Sequence, residues 1–121
     1  MPKVIVVDDS ATVRAQVGGA LSKSGFEVLE ARDGLEALDK VSATPDLSLV
    51  VCDVNMPRMN GLEFLEAARA KGIHVPVLML TTEGQPQLMQ RAKAAGARAW
   101  IIKPFKAEIL IEAAKKLANA A

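Results

Sequence analysis

The alternation of short apolar runs with segments of helical period constrains the fold of this chain more than any other feature. The runs 4–7 and 47–52 are nearly continuous in aliphatic residues, as strands buried on both faces of a parallel sheet are. The run 26–30 alternates in polarity and indicates a strand nearer an edge. Two further strands are predicted at 75–80 and 99–102, and a helical segment follows each of the five strands.

Local signals mark the ends of the predicted helices. Ser10 is a typical N-cap residue for the first helix, and Asp33 precedes the second. The residues placed to end helices are Gly25, Thr44-Pro45, Gly72 and Gly96. The apolar positions that recur at helical spacing are Val13, Val17 and Leu21, then Leu35, Ala37, Leu38 and Val41, then Leu62, Leu65 and Ala68, then Leu88, Ala92 and Ala95, and finally Ile109, Ala113 and Leu117.

Five repeats of strand then helix predict a small α/β domain. Such alternation requires a parallel sheet with helices on both faces and right-handed crossovers, that is, a doubly wound fold. A (β/α)₈ barrel is excluded because it needs about 250 residues, whereas this chain has 121. We expect one domain over residues 1–121.

The charge balance gives no general attraction to nucleic acid or to an anionic membrane, since 15 basic residues face 14 acidic ones. No apolar stretch approaches the roughly 20 residues that span a bilayer. The N-terminus turns acidic at Asp8, too early for a signal peptide. A single cysteine, Cys52, lies inside an apolar run and is expected to be a buried, inert thiol in a reducing compartment. We therefore expect a cytoplasmic protein.

Polar residues stand at four of the five predicted strand ends. Asp8-Asp9 follow the first strand, Asp53 the third, Thr81 the fourth and Lys103 the fifth. In an open parallel sheet the carboxyl ends of the strands share one edge, where ligands bind. Three carboxylates, a hydroxyl and an ammonium are therefore expected to converge there.

That convergence predicts a particular chemistry. Three carboxylates in close proximity repel one another, and a hard divalent cation relieves the repulsion. A site with a small number of protein ligands and several retained waters suits Mg²⁺ better than Ca²⁺. An ionised aspartate beside a cation is a competent nucleophile towards a phosphoryl group. Lys103 and Thr81 would then bind the other oxygens of that group.

The chain also resembles a known family over essentially its whole length. The motifs that carry the resemblance are V-V-D-D-S at 6–10, C-D-V-N-M-P-R-M-N-G at 52–61, L-T-T-E at 80–83, A-G-A at 95–97 and W-I-I-K-P-F at 100–105. Together they are similar to the receiver domain of bacterial response regulators, particularly the stand-alone, CheY-like regulators of chemotaxis. The resemblance implies a flavodoxin/CheY-like sheet with strand order 2-1-3-4-5. It implies a signalling switch that catalyses only its own phosphorylation and dephosphorylation.

The resemblance also implies roles at the cation site. Asp53 is the expected phospho-acceptor. Asp9 and Asp53 are expected to ligate Mg²⁺ directly, with the backbone carbonyl of Asn55 as the third protein ligand. Asp8 would act mostly through water.

The expected switch residues follow from the same resemblance. Thr81 is the hydroxyl that moves to the phosphoryl group, Lys103 pairs with that group, and the Lys103-Pro104 peptide is expected to be cis. The aromatic switch position, usually Tyr or Phe, falls on Trp100. An indole is bulkier and donates only through its nitrogen. Either Trp100 rotates inward as Tyr does, or it packs at the surface as a binding anchor.

Expected partners follow from the family. A histidine kinase would supply the phosphoryl group, and a protein target would bind in trans to the fourth helix, fifth strand and fifth helix. The flagellar motor switch or the kinase itself is the expected target, with a phosphatase as a further partner and the protein as a monomer. A phosphate sink, a regulator outside chemotaxis and a phosphorylation-independent docking module stay open. Met1 and the tapering 117–121 segment favour a complete chain without an output domain.

Two other classes of protein fit less well. A haloacid-dehalogenase phosphatase needs a second carboxylate where Asn55 stands, and a flavin mononucleotide binder would have its phosphate repelled by Asp8-Asp9. Three further polar residues have open or minor roles. Glu83 either tunes access to the site or is a solvated capping residue, Arg58 is a surface charge or helps to dock a kinase, and His74 is an ordinary surface residue.

Overall fold

Strands and helices alternate along the whole described chain. The structure, a computed structural model, describes residues 1–119. Its elements in chain order are β1 (Lys3–Val7), α1 (Ala11–Lys23), β2 (Glu27–Ala31), α2 (Gly34–Ala43), β3 (Leu47–Cys52), α3 (Gly61–Ala70), β4 (Val77–Thr81), α4 (Pro86–Ala94), β5 (Ala99–Ile102) and α5 (Ala107–Asn119). The predicted α/β class is confirmed.

The strands form one parallel sheet in the order β2-β1-β3-β4-β5, as predicted. The strand order reverses between β1 and β3, which opens a crevice at their carboxyl ends. Val7 of β1 pairs with Cys52 of β3, so the residues that follow these two strands leave the sheet at the same level.

Alternate residues of each strand serve two separate cores. Ile5, Val50 and Met79 belong to the layer that packs with α2, α3 and α4. Val6 and Val51 belong to the layer that packs with α1 and α5. Each face of the sheet is therefore covered, which explains why the predicted strands are apolar on both sides.

Two strand boundaries differ from the prediction. The strand predicted at 26–30 begins at Glu27, because the Phe26 N–H bonds to the Leu21 carbonyl and closes the turn after α1. The strand predicted at 75–80 spans Val77–Thr81. Pro76 precedes it and has no N–H for the sheet, although its carbonyl accepts the Val50 N–H at 2.9 Å.

The predicted helix signals hold where the structure tests them. The Ser10 hydroxyl accepts the Val13 N–H at 3.3 Å, and an Asp33 oxygen accepts the Glu36 N–H at 2.9 Å. Gly72 follows α3 with a φ of 79°, a left-handed conformation that favours glycine. None of the helices within residues 1–119 is long and apolar enough to cross a membrane.

Candidate functional site

The candidate site lies at the carboxyl edge of the sheet, and backbone hydrogen bonds fix the residues that begin it. The Asp53 N–H donates to the Val7 carbonyl at 3.0 Å, which extends the β1–β3 pairing by one residue. The Lys103 N–H donates to the Thr81 carbonyl at 2.9 Å and does the same for β4 and β5. Functional side chains therefore start from rigid strand ends.

Three carboxylates converge at this edge. Asp8, Asp9 and Asp53 each offer one oxygen, and these oxygens lie within 4.8 Å of one another. Asp8 and Asp53 are buried, at 4% and 7% exposure, while Asp9 is exposed. An all-oxygen donor set with one open side suits a hard cation that keeps several waters, as Mg²⁺ does. The residues present therefore fit the expected cation.

Lys103 supplies the positive charge that faces two of these carboxylates. Its Nζ donates to Asp8 Oδ2 at 2.7 Å and to Asp53 Oδ2 at 3.3 Å. Burial acts to lower the pKa of Lys103, but the hydrogen bond to Asp8 and the charge of Asp53 outweigh it, so this pKa lies above its ordinary value. The ammonium is therefore charged at neutral pH.

The other oxygens of the buried acids bond to backbone amides. Asp8 Oδ1 accepts the Ser10 N–H at 2.9 Å, and Asp53 Oδ1 accepts the Val54 N–H at 2.7 Å. Arg14 of α1 donates to the Asp8 carbonyl at 2.7 Å, a contact that the sequence did not indicate. These bonds hold the two side chains in fixed orientations.

Glu83 joins three residues that the sequence singled out. Its Oε1 accepts the Asn55 Nδ2–H at 2.9 Å, its N–H donates to Thr81 Oγ1 at 3.2 Å, and its carbonyl accepts the Trp100 Nε1–H at 2.9 Å. The interpretation of Glu83 as a capping residue is wrong, because the N-cap of α4 is Gln85. Glu83 instead connects the loops after β3 and β4 with β5.

The loop from β3 to α3 turns sharply back at Gly61. A Cβ there would lie 2.0 Å from the Asp53 carbonyl oxygen, so only glycine permits this approach. The Gly61 N–H donates to the Val54 carbonyl at 2.9 Å. Asn60 and Glu63 then form a reciprocal capping box at the start of α3.

A partly buried ion pair between Arg58 and Asp33 lies beside this loop, and the sequence did not indicate it. Asp33 is 3% exposed, and its Oδ2 accepts Arg58 Nε at 2.8 Å and lies 2.7 Å from Nη2. Burial acts to raise the pKa of Asp33, but bonds from the Glu36 N–H and Arg58 lower it overall. The Arg58 side chain is half exposed, as a surface charge is, but its guanidinium group is paired with Asp33. The D-G signal at Asp33 marked only a helix start.

The structure also places four other positions that the sequence singled out. Trp100 is half-buried and lines a groove of about 280 Å³ with Met89 and Lys93 of α4. Cys52 is buried, and burial raises the pKa of its thiol, which makes it inert as expected. The Lys103-Pro104 peptide is cis, as predicted, and His74 is exposed.

A comparison with known families now identifies the class of protein. The response regulator receiver domain model matches residues 4–115, and the chain belongs to that family. Among curated relatives, chemotaxis protein CheY1 of Helicobacter pylori is 42% identical over 91% of both chains. A CheY homolog of Campylobacter jejuni is 40% identical over 91% of this chain and 87% of its own length. The chain is thus similar to CheY-type response regulators, and two-component signalling is supported.

Solved structures agree with this assignment. Chemotaxis response regulator CheY4 of Vibrio cholerae has a TM-score of 0.87 at 42% identity and covers 97% of this chain and 98% of its own. The CheX-CheY-BeF3-Mg+2 complex from Borrelia burgdorferi has a TM-score of 0.87 at 28% identity and covers 92% of this chain and 84% of that one. The roles of individual site residues stay predictions.

Proposed function

We propose that this protein accepts a phosphoryl group from a histidine kinase onto Asp53, with Mg²⁺, and signals by binding a partner protein in trans. The observation that carries the proposal is the surroundings of Asp53. Its buried carboxylate stands within 4.8 Å of the Asp8 and Asp9 oxygens and 3.3 Å from the Lys103 ammonium. That arrangement provides a nucleophile, a cation site and a phosphate-binding cation on one edge.

The transfer step uses Asp53 as the nucleophile. A carboxylate oxygen forms a new P–O bond as the P–N bond of the phosphohistidine breaks, and the leaving imidazole nitrogen keeps the electron pair. Later hydrolysis adds water at phosphorus, which restores the carboxylate and releases inorganic phosphate. Lys103, already 3.3 Å from Asp53, binds an oxygen of the transferred group and offsets its charge.

The cation would be held by Asp9, Asp53 and the backbone carbonyl of Asn55, with Asp8 acting through water. When bound, Mg²⁺ supplies positive charge against the phosphoryl oxygens. Asp8 also keeps Lys103 aimed into the site through the 2.7 Å hydrogen bond. Relatives support this assignment, since the Borrelia burgdorferi structure is named with both BeF3 and Mg²⁺.

The switch is proposed to run through Glu83. The Thr81 hydroxyl accepts the Glu83 N–H in the structure, and it would leave that bond to donate to the phosphoryl group. Trp100 is bonded to the Glu83 carbonyl and would respond to the movement. That bond favours Trp100 as an anchor of the loop over a freely rotating ring. Thr81 and Trp100 thereby link the site to α4, β5 and α5.

That face carries the features of a docking surface. Met89, Ile102 and Ile109 are exposed apolar residues of α4, β5 and α5, at 38%, 45% and 53% exposure. Exposed apolar side chains together with a half-buried Trp are typical of protein interfaces. We propose a chemotaxis target there, the flagellar motor switch or the kinase, because the curated relatives carry chemotaxis names. The proposal includes a cytoplasmic monomer with residues 1–121 as one domain.

The test measures phosphorylation and conformational response on the same samples. Trp100 emission is followed while Mg²⁺ and then a small phosphodonor or beryllium fluoride are added, and intact mass is recorded with the phosphodonor. We expect a phosphoryl adduct and an emission change that both require Mg²⁺ and both vanish in Asp53→Asn. Asp39→Asn, on α2, is the matched control and should respond as the unmodified protein does.

The two readouts separate the alternatives. An adduct without an emission change would keep the phospho-acceptor and remove Trp100 from the switch. The absence of both signals in the unmodified protein would refute phospho-acceptance and favour the docking module.

A further inference from the structure

The loop between β3 and α3 carries a proposed cation ligand that belongs to the backbone, so its direction is not set by the rotamer of a side chain. The backbone carbonyl of Asn55 points wherever the conformation of residues 54–60 directs it. Whatever fixes this loop therefore fixes part of the cation site. The structure shows four attachments: one at the end of the loop, two along its outer side, and the hydrogen bond from Asn55 to Glu83.

The end attachment is the return of the loop onto β3. The Gly61 N–H donates to the Val54 carbonyl, and Gly61 approaches the Asp53 backbone too closely for any Cβ. This contact closes the loop at its base. The shape of the residues between then depends on the outer attachments and on the hydrogen bond between Asn55 and Glu83.

The outer attachments both reach the start of α2. Arg58 makes two short contacts, of 2.8 and 2.7 Å, with the same oxygen of buried Asp33. The Gly34 N–H donates to the Met59 carbonyl at 2.9 Å, and a Cβ at Gly34 would lie 2.6 Å from that carbonyl oxygen. Two consecutive loop residues are thus held by two consecutive residues of the helix start.

Arg58 has an unfavourable backbone conformation at the centre of a tight turn, across which the Met59 N–H donates to the Pro57 carbonyl at 2.7 Å. The Arg58 φ of 66° lies in the left-handed region, which glycine adopts more easily than a residue with a Cβ. The ion pair with Asp33 offsets that cost. Without Arg58, the second oxygen of Asp33 would lose its charged partner in a buried position.

We infer that the Arg58–Asp33 ion pair is a clamp that positions the β3–α3 loop for Mg²⁺ binding, with both residues acting through the loop and neither touching the cation. The inference rests on the proposed function, because it concerns the same cation site. It assigns Arg58 a positioning role in place of the surface-charge and kinase-docking interpretations.

The test uses the full chain and measures Mg²⁺ binding directly by calorimetry, with no phosphodonor. Arg58→Gly relaxes the left-handed backbone but removes the clamp, so it separates strain from positioning. We expect its dissociation constant for Mg²⁺ to rise on the order of tenfold, as for other residues that orient metal ligands. Arg32→Ala is the matched control, since the exposed Arg32 adjoins Asp33 but pairs with half-buried Glu36, and the affinity of this variant for Mg²⁺ should be unchanged.

Two further readouts distinguish positioning from a general loss of structure. The rate of Asp53 phosphorylation at saturating Mg²⁺ should stay within twofold of the unmodified rate, while the Mg²⁺ concentration for half-maximal rate rises with the dissociation constant. The Gly34 amide, which bonds to the Met59 carbonyl, should exchange its hydrogen faster in Arg58→Gly. Asp33→Asn should weaken Mg²⁺ binding similarly, and the double variant should lose little more.

Each outcome bears on the inference. An unchanged Mg²⁺ affinity in both Arg58→Gly and Asp33→Asn overturns the clamp while leaving the proposed function intact. Additive losses in the double variant also overturn it, because they show two independent effects. If the unmodified protein binds no Mg²⁺, the proposed function itself fails.

Discussion

The loops on the two sides of Asp53 are held very differently. The β3–α3 loop is fixed by a glycine contact, by the Arg58–Asp33 ion pair and by the Asn60–Glu63 capping box that starts α3. The β4–α4 loop is held by the hydrogen bonds of Glu83 and leads into a helix whose N-cap makes no side-chain cap hydrogen bond within the described residues. A rigid loop suits a cation ligand, and a soft one suits a switch.

The two helices differ in the same way. α3 buries Leu62, Phe64 and Leu65 along one face. Among the described residues of α4, Ala92 alone is fully buried, and an exposed ion pair between Arg91 and Glu66 ties α4 to α3. Exposed ion pairs contribute little to stability. The β3–α3 side of the site is therefore held by more buried contacts than the β4–α4 side.

The largest expected effect on stability separates two glycine substitutions, one at each of the two loops. Gly61→Ala would place a Cβ 2.0 Å from the Asp53 carbonyl oxygen, and backbone atoms cannot yield easily. We expect it to lower the free energy of unfolding by about 3 kcal/mol. Gly84→Ala, in the β4–α4 loop, meets only an Ile102 methyl at 3.7 Å and should change it by less than about 0.5 kcal/mol.

Urea denaturation of both variants checks this pair. Equal destabilisation by Gly61→Ala and Gly84→Ala would contradict the view that the β3–α3 loop is the more constrained of the two.

A smaller effect is expected at the capping box of α3. In Asn60→Ala the Glu63 N–H loses its 2.8 Å bond to Asn60 Oδ1. The free energy of unfolding should fall by about 1 kcal/mol. Urea denaturation measures the loss, and Asn60→Asp, which keeps a capping oxygen, should restore most of it. A full loss in Asn60→Asp would assign the effect to something other than the cap.

A side-chain N-cap added to α4 should stabilise the β4–α4 side of the site. Gln85 has an extended backbone (φ −68°, ψ 128°) and precedes Pro86 at the first position of the helix, so a serine there would be placed to cap. We expect Gln85→Ser to raise the free energy of unfolding by about 0.5 kcal/mol. We also expect the Trp100 emission response to beryllium fluoride to shrink, because α4 becomes harder to move.

An unchanged emission response in a stabilised Gln85→Ser variant would show that movement of α4 is not part of the switch. Gln87→Ser, at the second residue of α4, is the matched control. It should not stabilise the protein and should leave the response as it is.

Most of the fold and the centre of the site were predictable because the residues that carry them signal locally. Asp8, Asp53 and Lys103 directly follow apolar runs, and parallel strands bring such positions to one edge. β4 was misplaced by two residues at its start because Pro76 is apolar yet cannot donate to a sheet.

The contacts around the centre were not predictable from the sequence. Arg58 and Asp33 are 25 positions apart, and Arg58 has a left-handed backbone conformation that an arginine in a sequence does not predict. Glu83 makes one of its contacts through its backbone carbonyl, which is the same for every residue type. Such contacts follow from how loops are placed relative to one another, and that placement is set by the packed structure as a whole.

The smallest expected effect is a change in acid stability on the rigid side. The folded-state pKa of Asp33 lies below its ordinary value of 3.8, with burial opposing the shift and the Glu36 N–H and Arg58 producing it. A depressed pKa stabilises the folded state above the unfolded pKa, and this stabilisation is lost as pH falls through the folded pKa. Arg58→Ala removes part of the depression. Its deficit in unfolding free energy should therefore be largest above about pH 4 and should shrink in stronger acid.

Urea midpoints of the unmodified protein and Arg58→Ala between neutral pH and pH 3 check this dependence. Arg32→Ala, which breaks only the pair between exposed Arg32 and Glu36, should show little deficit at any pH. A deficit in Arg58→Ala that stays constant into acid would mean that the ion pair contributes nothing through charge. The rigidity of the β3–α3 loop would then rest on the glycine contacts at Gly34 and Gly61.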